Sequence, residues 1–296
     1  MDPLLLSQYF FLGIITGVIY CLMAIGITFI YSIMKMINWS MGEFYMIGAY
    51  IQWILVQQVF GWQYWFIGIP VSMAIVFLFG IAFQHAILKP MFVGGVERRD
   101  DYVTIITIAC VVLFRNIAVV IYGPYVHSTP EYFPRTYFGT LPMSGSRLMA
   151  FIGTVIILGI FYYGIKKTWM GRAFLATAQN RLGTLVTGID PMKIDRYAYG
   201  IGVALAAAAG ALLTPVFMVY PLCGAVSTMK GFEIIIIGGL GSIMGSVVGG
   251  LTLGMVEIMG TAFINPSYRD LYGFVFLLVI LAIKPTGFFG EVERVA

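Results

Sequence analysis

The chain has 296 residues, of which 60% are hydrophobic and only 10% are charged, and its mean hydropathy is +0.94. Soluble domains carry about 25% charged residues, so this composition excludes an ordinary water-soluble protein. The net charge of +4 comes without a basic cluster, which argues against a nucleic-acid partner. Cys21, Cys110 and Cys223 are scattered through apolar segments and indicate neither a disulfide framework nor a metal site.

Apolar runs occupy most of the chain and are long enough to cross a lipid bilayer, because about 20 helical residues span its hydrocarbon core. The first run follows Asp2 instead of a basic region and exceeds a signal-peptide core, so we expect it to be a retained span. The runs fall at 4–30, 43–60, 64–88, 103–121, 147–165, 197–220, 231–248, 249–262 and 271–284. This pattern predicts an all-α polytopic membrane protein with eight or nine helical segments, some of them discontinuous, in one transmembrane domain over residues 1–296.

The lysines and arginines between the runs predict the orientation, since these residues are more frequent in cytoplasmic loops. One set of alternate loops holds 12 of them: Lys35, Lys89, Arg98, Arg99, Lys166, Lys167, Arg172, Arg181, Lys193, Arg196, Lys284 and Arg294. The opposite set holds 4: Arg135, Arg147, Lys230 and Arg269. We therefore expect the N-terminus outside, in the periplasm, and the C-terminus in the cytoplasm.

Two of the loops are expected to have structure or function of their own. The external loop 122–146 is rich in proline, glycine and aromatic residues, which is typical of a lid or docking surface and equally of a packed connection. In the cytoplasmic segment 166–196, Met170, Phe174 and Ala178 repeat at four-residue spacing, which predicts a short amphipathic helix. Such a helix either docks into a groove on a soluble partner or lies on lipid as an anchor, and the pattern favours neither.

Two segments of the chain resemble each other. Residues 38–50 and 227–241 each follow an apolar helix and each place a glycine near a glutamate, Glu43 or Glu233, at the mouth of a new apolar run. The two preceding helices are the first and the sixth predicted spans, five places apart, and an odd displacement inverts the second copy relative to the first. The sequence therefore predicts an inverted internal repeat, with the substrate path near the interface of the two copies.

Ionisable residues inside or at the ends of apolar runs are functional candidates, because charge within the bilayer is costly. Glu43 and Glu233 are expected at span starts, where a carboxylate either complements the positive end of a helix or lines a pathway. Arg115 lies in mid-span and is expected to pair with a carboxylate or with backbone carbonyls. His85 is expected at the cytoplasmic interface, and the role of Glu257 stays open.

Glycines punctuate the last three runs. One series at four-residue spacing is Gly241, Gly245 and Gly249, and a second is Gly250 and Gly254. This spacing places small residues on one helix face and favours close helix packing. Gly238 and Gly239 either share in this packing or break the helix and expose backbone polar groups to a substrate. No lysine follows these glycines in the pattern of a phosphate loop, so we expect no nucleotide hydrolysis by this chain itself.

Four stretches match a known family. The residues I-N-W-S-M-G-E-F-Y-M-I-G-A-Y at 37–50 resemble the signature after the first helix of branched-chain amino acid ABC permeases of the LivH type. M-G-R-A-F-L-A-T-A-Q-N at 170–180 is similar to the cytoplasmic coupling segment of that family. G-G-L-G-S-I-M-G-S-V-V-G-G-L-T-L-G at 238–254 resembles its glycine-rich region, and K-P-T-G at 284–287 its C-terminal end.

The resemblance implies a permease subunit of an ABC importer in a bacterial inner membrane, with no cofactor or metal of its own. It implies as partners a second, LivM-like permease subunit, two ATP-binding subunits and a periplasmic substrate-binding protein. It also resolves the role of the segment 166–196 in favour of coupling to the ATPase. The contact with the ATPase is then expected at Gly171, Arg172, Ala173, Ala176 and Gln179.

Two positions depart from the family pattern. Ser40 and Met41 stand where the family commonly has Ala-His, which replaces a polar ring by a thioether. Relatives of this fold handle leucine-type amino acids, urea, short amides and other small solutes, so this change leaves the solute open. Gln179 stands where an acidic residue is common, which bears on the contact with a particular ATPase.

We therefore expect a permease that moves a branched-chain amino acid, or a similar small polar solute, inward by alternating access. The candidates for the lining of its pathway are Asn38, Met41, Gly42, Glu43, Glu233, Gly238 and Gly239. The alternative is a stand-alone secondary transporter or channel, which would move its solute without an ATPase. A membrane-embedded enzyme is disfavoured, because the two histidines are far apart in the sequence and no catalytic cluster is evident.

Overall fold

The computed structural model describes residues 3–93, 98–133, 136–138 and 141–290, and in this part of the chain it shows twelve α-helices and one short hairpin. The helices are α1 (Pro3–Met34), α2 (Met41–Ile54), α3 (Trp65–Phe83), α4 (Pro90–Val93), α5 (Arg99–Tyr122), α6 (Gly145–Lys167), α7 (Trp169–Gln179), α8 (Arg181–Val186), α9 (Pro191–Leu213), α10 (Cys223–Gly238), α11 (Ile243–Phe263) and α12 (Arg269–Ile283). The antiparallel strands are β1 (Thr136–Phe138) and β2 (Leu141–Met143). Short π-helical turns at Leu55–Val59 and Gln84–Leu88 continue α2 and α3.

Seven of the described helices are long and apolar enough to cross a membrane, namely α1, α3, α5, α6, α9, α11 and α12 with their short extensions. The helices α2 and α10, of 14 and 16 residues, are shorter and are packed among the spans. Together these make nine principal helical segments. The predicted all-α polytopic fold is therefore confirmed.

Helix α9 forms the centre of the bundle. In its most apolar window 83% of the residues are buried, against 6% in α12 at the periphery. The buried part of α9 is rich in alanine and glycine from Gly200 to Ala211. Small residues let neighbouring helix backbones approach closely, and a Cβ placed on Gly210 would collide with the backbone of α2 at Tyr45. The small-residue sequence of α9 therefore sets its central position.

The first and second halves of the chain pack with opposite direction. The carbonyl of Ile33, at the end of α1, accepts a hydrogen bond of 3.4 Å from Arg181. The guanidinium of Arg181 also pairs with Asp195 near the start of α9. Further along, a Cβ on Gly26 would meet the carbonyl oxygen of Gly202. The end of α1 thus lies beside the start of α9, so the two helices are antiparallel, as an inverted repeat requires.

Each half continues with a non-helical segment and a short helix. Residues 35–40 lead from α1 to α2, and residues 214–222 lead from α9 to α10. The short helices meet at their N-termini, where a Cβ on Gly42 would collide with the Gly224 carbonyl and a Cβ on Gly224 with that of Gly42. From this crossing α2 and α10 run towards opposite ends of the molecule. The next helix of each half, α3 or α11, packs along the long helix of the other half.

The expected alignment of the two repeat copies with each other is wrong, and the error is about half the length of helix α10. The sequence comparison matched Glu43 with Glu233, but the structure places Gly42 against Gly224, and α10 begins at Cys223. Glu233 therefore lies well inside α10 and not at a span start. Lys230, which was assigned to a loop, is also inside this helix. The polar residues Ser227 and Lys230 on α10 masked its true beginning in the hydropathy pattern.

The break expected between 248 and 249 is also wrong, since α11 is continuous from Ile243 to Phe263. The chain turns instead between α10 and Ser242, which caps α11 by accepting a hydrogen bond of 3.0 Å from the Gly245 amide. Gly239 and Gly241 in this turn have φ values of 101° and 84°. Glycine adopts such angles without the steric penalty of a side chain, which is why the turn falls here.

The glycines of α11 serve helix packing, as their spacing predicts. Gly245 and Gly249 face α10, where a Cβ on either residue would meet the backbone near Gly238. Gly250 and Gly254 face α1, where a Cβ would meet the backbone at Gly17. Two small-residue faces on one helix thus hold α11 between α1 and α10.

The described basic residues of the first loop set lie at one end of the bundle, here called the basic end, and Arg294 lies outside the described residues. Arg181 packs on the ring of Phe92 at 4.6 Å and Arg196 lies 3.1 Å from Nδ1 of His85, which brings the loops around 85–98 and 166–196 together. At the opposite end, the backbones of His127 and Val219 exchange hydrogen bonds of 2.8 Å. Tyr132 stacks there on Trp65. Residues 122–133 of the loop predicted to be external thus make packed contacts at some positions, while Tyr125 and Val126 are exposed, so the packed connection and the docking surface both stay predictions.

We predict that Gly254→Leu destabilises the protein, because the new side chain would collide with α1 at Gly17. Overpacking of this kind costs about 1–3 kcal/mol, so the midpoint of thermal unfolding of the purified protein should fall. Gly159→Leu on α6 is the matched control, since nothing lies within 4 Å of a Cβ there and leucine favours helix over glycine. Equal unfolding midpoints for the two variants would contradict the close contact of α1 and α11.

Candidate functional site

The crossing of α2 and α10 is held by a polar anchor beneath the non-helical segment 35–40. The Asn38 side chain donates a hydrogen bond of 2.9 Å to the Tyr199 hydroxyl. Its Oδ1 accepts from the amide and the hydroxyl of Ser40 at 3.0 and 2.7 Å. The buried backbone thus finds partners, as it must at membrane depth. Asn38 positions the start of α2 against α9.

Glu43 lies in the first turn of α2 and is 1% exposed. Its Oε1 accepts a hydrogen bond of 2.9 Å from Nε of Arg115 on α5, which confirms that Arg115 pairs with a carboxylate. A carboxylate at this position also complements the partial positive charge of the α2 N-terminus. Its Oε2 is buried and has no partner among the described residues. The pathway role of Glu43 stays a prediction.

A cavity of about 500 Å³ enters the bundle from the opposite end and leads to this crossing. Its lining includes Met23, Tyr45 and Ser227. The same three residues also line a smaller space that is bounded by Met41, Gly42 and Thr228 at the crossing. The two spaces are therefore neighbours. The smaller space measures only about 10 Å³, too small for a solute, so Met41 and Gly42, both predicted for the pathway, close the inner end of the route from the cavity.

A cluster of charged side chains forms one wall of the larger cavity. Nζ of Lys230 lies 2.6 Å from Glu257, 3.1 Å from Asp270 and 3.2 Å from Glu233. Arg269 contacts Glu257 through Nε at 3.0 Å. Charge inside a bundle of spans is normally paired, and this cluster follows the rule while joining α10, α11 and α12.

Tyr20 ties the cluster to α1. Its hydroxyl donates a hydrogen bond of 2.8 Å to Oε2 of Glu257 and accepts one of 3.0 Å from Arg269. Glu257, whose role the sequence left open, is thus the buried centre of the cluster. Four helices contribute to the cluster, and its most distant members, Tyr20 and Arg269, are 249 positions apart in the chain.

The remaining predicted pathway residues lie away from the crossing. Glu233 belongs to the charged cluster. Gly238 packs against Gly245 at the C-terminal end of α10, and Gly239 lies against Gly290 in the turn that follows. The structure does not bring these three residues together with Met41 and Gly42, because α10 runs away from the crossing. The packing interpretation of Gly238 and Gly239 is the one that agrees with their contacts.

A second large cavity, of about 670 Å³, lies at the basic end. Lys35, Ser242 and Thr286 contribute to its lining. None of its lining residues belongs to the two spaces that meet at the crossing. The bundle therefore has a separate cavity at each end, with packed side chains of α1 and α10 between them.

Sequence reasoning missed Tyr20, Arg269 and Asp270 as parts of a site. Tyr20 lies in the middle of α1, Arg269 and Asp270 lie at the start of α12, and none of the three belongs to a local motif. Lys230 carried the one available signal, since a lysine between apolar residues on a helix is a functional candidate by default. Because the hydropathy pattern places Lys230 in a loop, the sequence does not identify it as a charged residue within a helix.

The basic end carries the predicted amphipathic helix as α7. Phe174 is buried and contacts Phe29 of α1, with ring centroids 5.2 Å apart. Arg172 and Gln179 are exposed and Ala176 is partly so, which leaves them available to a partner. Gly171 and Ala173 are buried, and a Cβ on Gly171 would collide with the Ile165 carbonyl. Those two residues shape the joint between α6 and α7.

The exposed face of α7 continues onto α8 as an apolar surface. We call these residues the α7–α8 patch: Trp169, Leu175, Leu182, Leu185 and Val186, each between 44% and 89% exposed. Soluble proteins rarely expose such a patch unless it meets a partner or a membrane. Arg172 and Arg181 flank it.

A polytopic bundle with an inverted repeat, broken helices that meet at its centre and a cavity at each end belongs to the class of membrane transport proteins. A model of the family described as branched-chain amino acid transport system / permease component matches residues 9–283. The chain belongs to this family. It is thus a multi-pass inner-membrane permease and not an enzyme. Membership implies ATP-hydrolysing and substrate-binding partner proteins.

Individual relatives agree with the family over almost the whole chain. The chain is 29% identical to the high-affinity branched-chain amino acid transport system permease protein LivH of Escherichia coli K12, with 97% of each chain covered. It is 30% identical to the corresponding BraD protein of Pseudomonas aeruginosa over 96% of each chain. A probable LivH of Methanocaldococcus jannaschii is 27% identical, with 94% of this chain and 90% of the relative covered. No solved structure matches the chain significantly.

We predict that Arg115→Met destabilises the protein, because it leaves the Glu43 carboxylate buried without its partner. Breaking a buried pair costs about 3–5 kcal/mol, and the effect should fall at the low end because Arg115 is 30% exposed. Adding Glu43→Gln should restore at least half of the lost thermal stability.

The control for this pair is Arg98→Met. Arg98 pairs with Asp101 on the surface, with side chains 85% and 61% exposed, and such pairs contribute about 0–1 kcal/mol. If the effects of Arg115→Met and Glu43→Gln on stability are additive in a double-mutant cycle, the contact between Arg115 and Glu43 contributes nothing to stability.

Proposed function

We propose that this chain is one of two permease subunits of an ATP-driven importer for branched-chain amino acids. The observation that carries the proposal is the route from the 500 Å³ cavity to the crossing of α2 and α10. The route combines charged groups, for the polar part of a solute, with Met23, Met41 and Val226, for an apolar side chain. The names of the relatives supply the class of solute.

The proposed mechanism is alternating access around the crossing. The cavity at the opposite end admits the solute, and the separate cavity at the basic end releases it after the packed contact of α1 and α10 between them has opened. Met41 and Gly42 lie at the boundary of the two states. At this contact Gly42 lies directly against the Gly224 backbone and the Thr228 hydroxyl, so the change of state is proposed to separate α2 from α10 at this point.

The α7–α8 patch is the proposed docking surface for an ATP-binding subunit. Arg172, Ala176 and Gln179 contribute its polar part, and Gly171 and Ala173 act by fixing how α7 joins α6. Because α7 packs on α1 through Phe174, a movement of the docked ATPase would reach the helix that precedes the crossing. The second, LivM-like permease subunit is proposed to supply the same surface to a second ATPase.

The proposed orientation puts the basic end in the cytoplasm, with the N-terminus in the periplasm. We predict that Leu182→Cys, on α8, reacts with a membrane-impermeant maleimide in inverted vesicles only. Val126→Cys at the opposite end should react in right-side-out vesicles only. The three natural cysteines are buried, so the maleimide should label them little and the background signal should be small. The reversed labelling pattern would invert the proposed topology.

The importer itself is tested in proteoliposomes that contain this chain with its second permease, its ATP-binding subunits and its binding protein. Labelled leucine should accumulate only when ATP is supplied. The variant Arg172→Glu with Leu175→Asp should lower uptake at least about tenfold, because charge buried in a docking interface costs more than 1.4 kcal/mol.

Arg98→Glu is the matched control for the docking variant, since it changes an exposed charge at the same end away from the patch. Normal uptake in the variant Arg172→Glu with Leu175→Asp would contradict docking of an ATP-binding subunit on the α7–α8 patch. Leucine flux through this chain alone, down a gradient and without any ATPase, would instead favour the secondary transporter or channel.

A further inference from the structure

The wall of the 500 Å³ cavity has two chemically different sides. Lys230, Arg269 and Asp270 form a charged side. Met23, Phe217, Met218 and Val226 contribute apolar side chains to the rest of the lining. The volume falls within the range of about 300–1,000 Å³ that is usual for small-molecule sites. A ligand with one charged and one apolar end fits this division.

The charged side brings carboxylates and cations close together. Three carboxylates, those of Glu233, Glu257 and Asp270, contact two cations, Lys230 and Arg269, and a third cation, Arg147 on α6, interacts electrostatically with Arg269 and Tyr20. An ammonium group has three donors, and the described hydrogen bonds of Lys230 go to Glu233 and Glu257, while Asp270 lies at ion-pair distance. Asp270 therefore has unused acceptor capacity for a further cation, such as an ammonium group from outside the protein.

Asp270 is the carboxylate that is free to receive this cation. Its one described ion pair is with Lys230, at 3.1 Å, and its side chain is 73% exposed into the cavity mouth. Glu257 is fully buried and already accepts from Lys230, Arg269 and Tyr20. The carboxylate of Asp270 thus has room for an ammonium group from outside the protein.

Arg269 provides the complementary group for an anion. Its described hydrogen bonds use Nε, to Glu257, and Nη2, to Tyr20. A guanidinium carries five N–H donors, so donors remain for a carboxylate, and the side chain is 30% exposed. Arg269 and Asp270 are consecutive residues at the start of α12, so an anion site and a cation site lie side by side.

We propose that Arg269 and Asp270 form an entry site that recognises the zwitterionic head of an α-amino acid, with its carboxylate on Arg269 and its ammonium on Asp270. The apolar side chain then lies against Met23, Phe217 and Val226. This inference rests on the proposed function and narrows its substrate class: urea and neutral amides lack both charges and are excluded as equal substrates. The site selects solutes after the binding protein has released them.

The role of Asp270 is separable from folding. The ion pair between Lys230 and the exposed Asp270 contributes little to the stability of the protein. When it is removed, Lys230 still pairs with the buried carboxylates of Glu233 and Glu257. Asp270→Asn also keeps the size of the side chain. This variant is therefore expected to fold and to assemble with its partners.

The test uses the complete transporter in proteoliposomes, with saturating leucine-loaded binding protein. Asp270→Asn should lower ATP-driven leucine uptake about tenfold, as expected for the loss of a charge-assisted hydrogen bond, while ATP hydrolysis stays within about twofold of wild type. Asp270→Glu should keep most of the uptake. The matched control is Glu131→Gln, which removes an exposed carboxylate at the same end of the molecule.

Two outcomes would overturn the proposed site. The first is unchanged uptake in Asp270→Asn. The second is a parallel fall of uptake and ATP hydrolysis, which would give Asp270 a structural role. Failure of the proposed function is distinguishable from both, because the wild-type complex would then show no ATP-driven leucine uptake.

Discussion

The structure depends on one constraint, which is that two interrupted helices must meet inside the membrane without leaving their backbones unsatisfied. Non-helical backbone at that depth survives only where protein covers it. Here Gly42 and Gly224 bring the ends of α2 and α10 into backbone contact, while Asn38 satisfies the segment before α2. The two halves of the inverted arrangement meet at this contact, which also lies at the inner end of the route from the larger cavity.

The charged cluster shows how the same bundle keeps costly groups inside. Glu257, fully buried, is balanced by Lys230, Arg269 and the Tyr20 hydroxyl, so that four helices share one network. Buried pairs of this kind are weak evidence for stability, since desolvation offsets much of their attraction. Their position on the wall of a cavity is the basis of the entry site proposed above.

Ser40 and Met41, where the family resemblance implies Ala-His, take two different places at the crossing. Ser40 turns inward and hydrogen-bonds Asn38, so it belongs to the polar anchor. Met41 borders the small space at the crossing, beside Thr228 and Ala206. A flexible thioether at this point makes the inner end of the route less polar than an imidazole would, which suits an apolar side chain that passes between the halves.

The sequence by itself determined the membrane class, a total of eight or nine principal helices, the helix α7 and the packing role of the α11 glycines, because hydropathy, charge and residue spacing are local properties. It also limited the partner of Arg115 to a carboxylate or backbone carbonyls, and the structure decided for the carboxylate of Glu43. Only the tertiary structure decided the start of α10, the register of the repeat and the union of Tyr20, Lys230, Glu257 and Arg269. These features depend on contacts between residues distant in the chain, and the pairing that makes a buried lysine stable is invisible until the helices are packed.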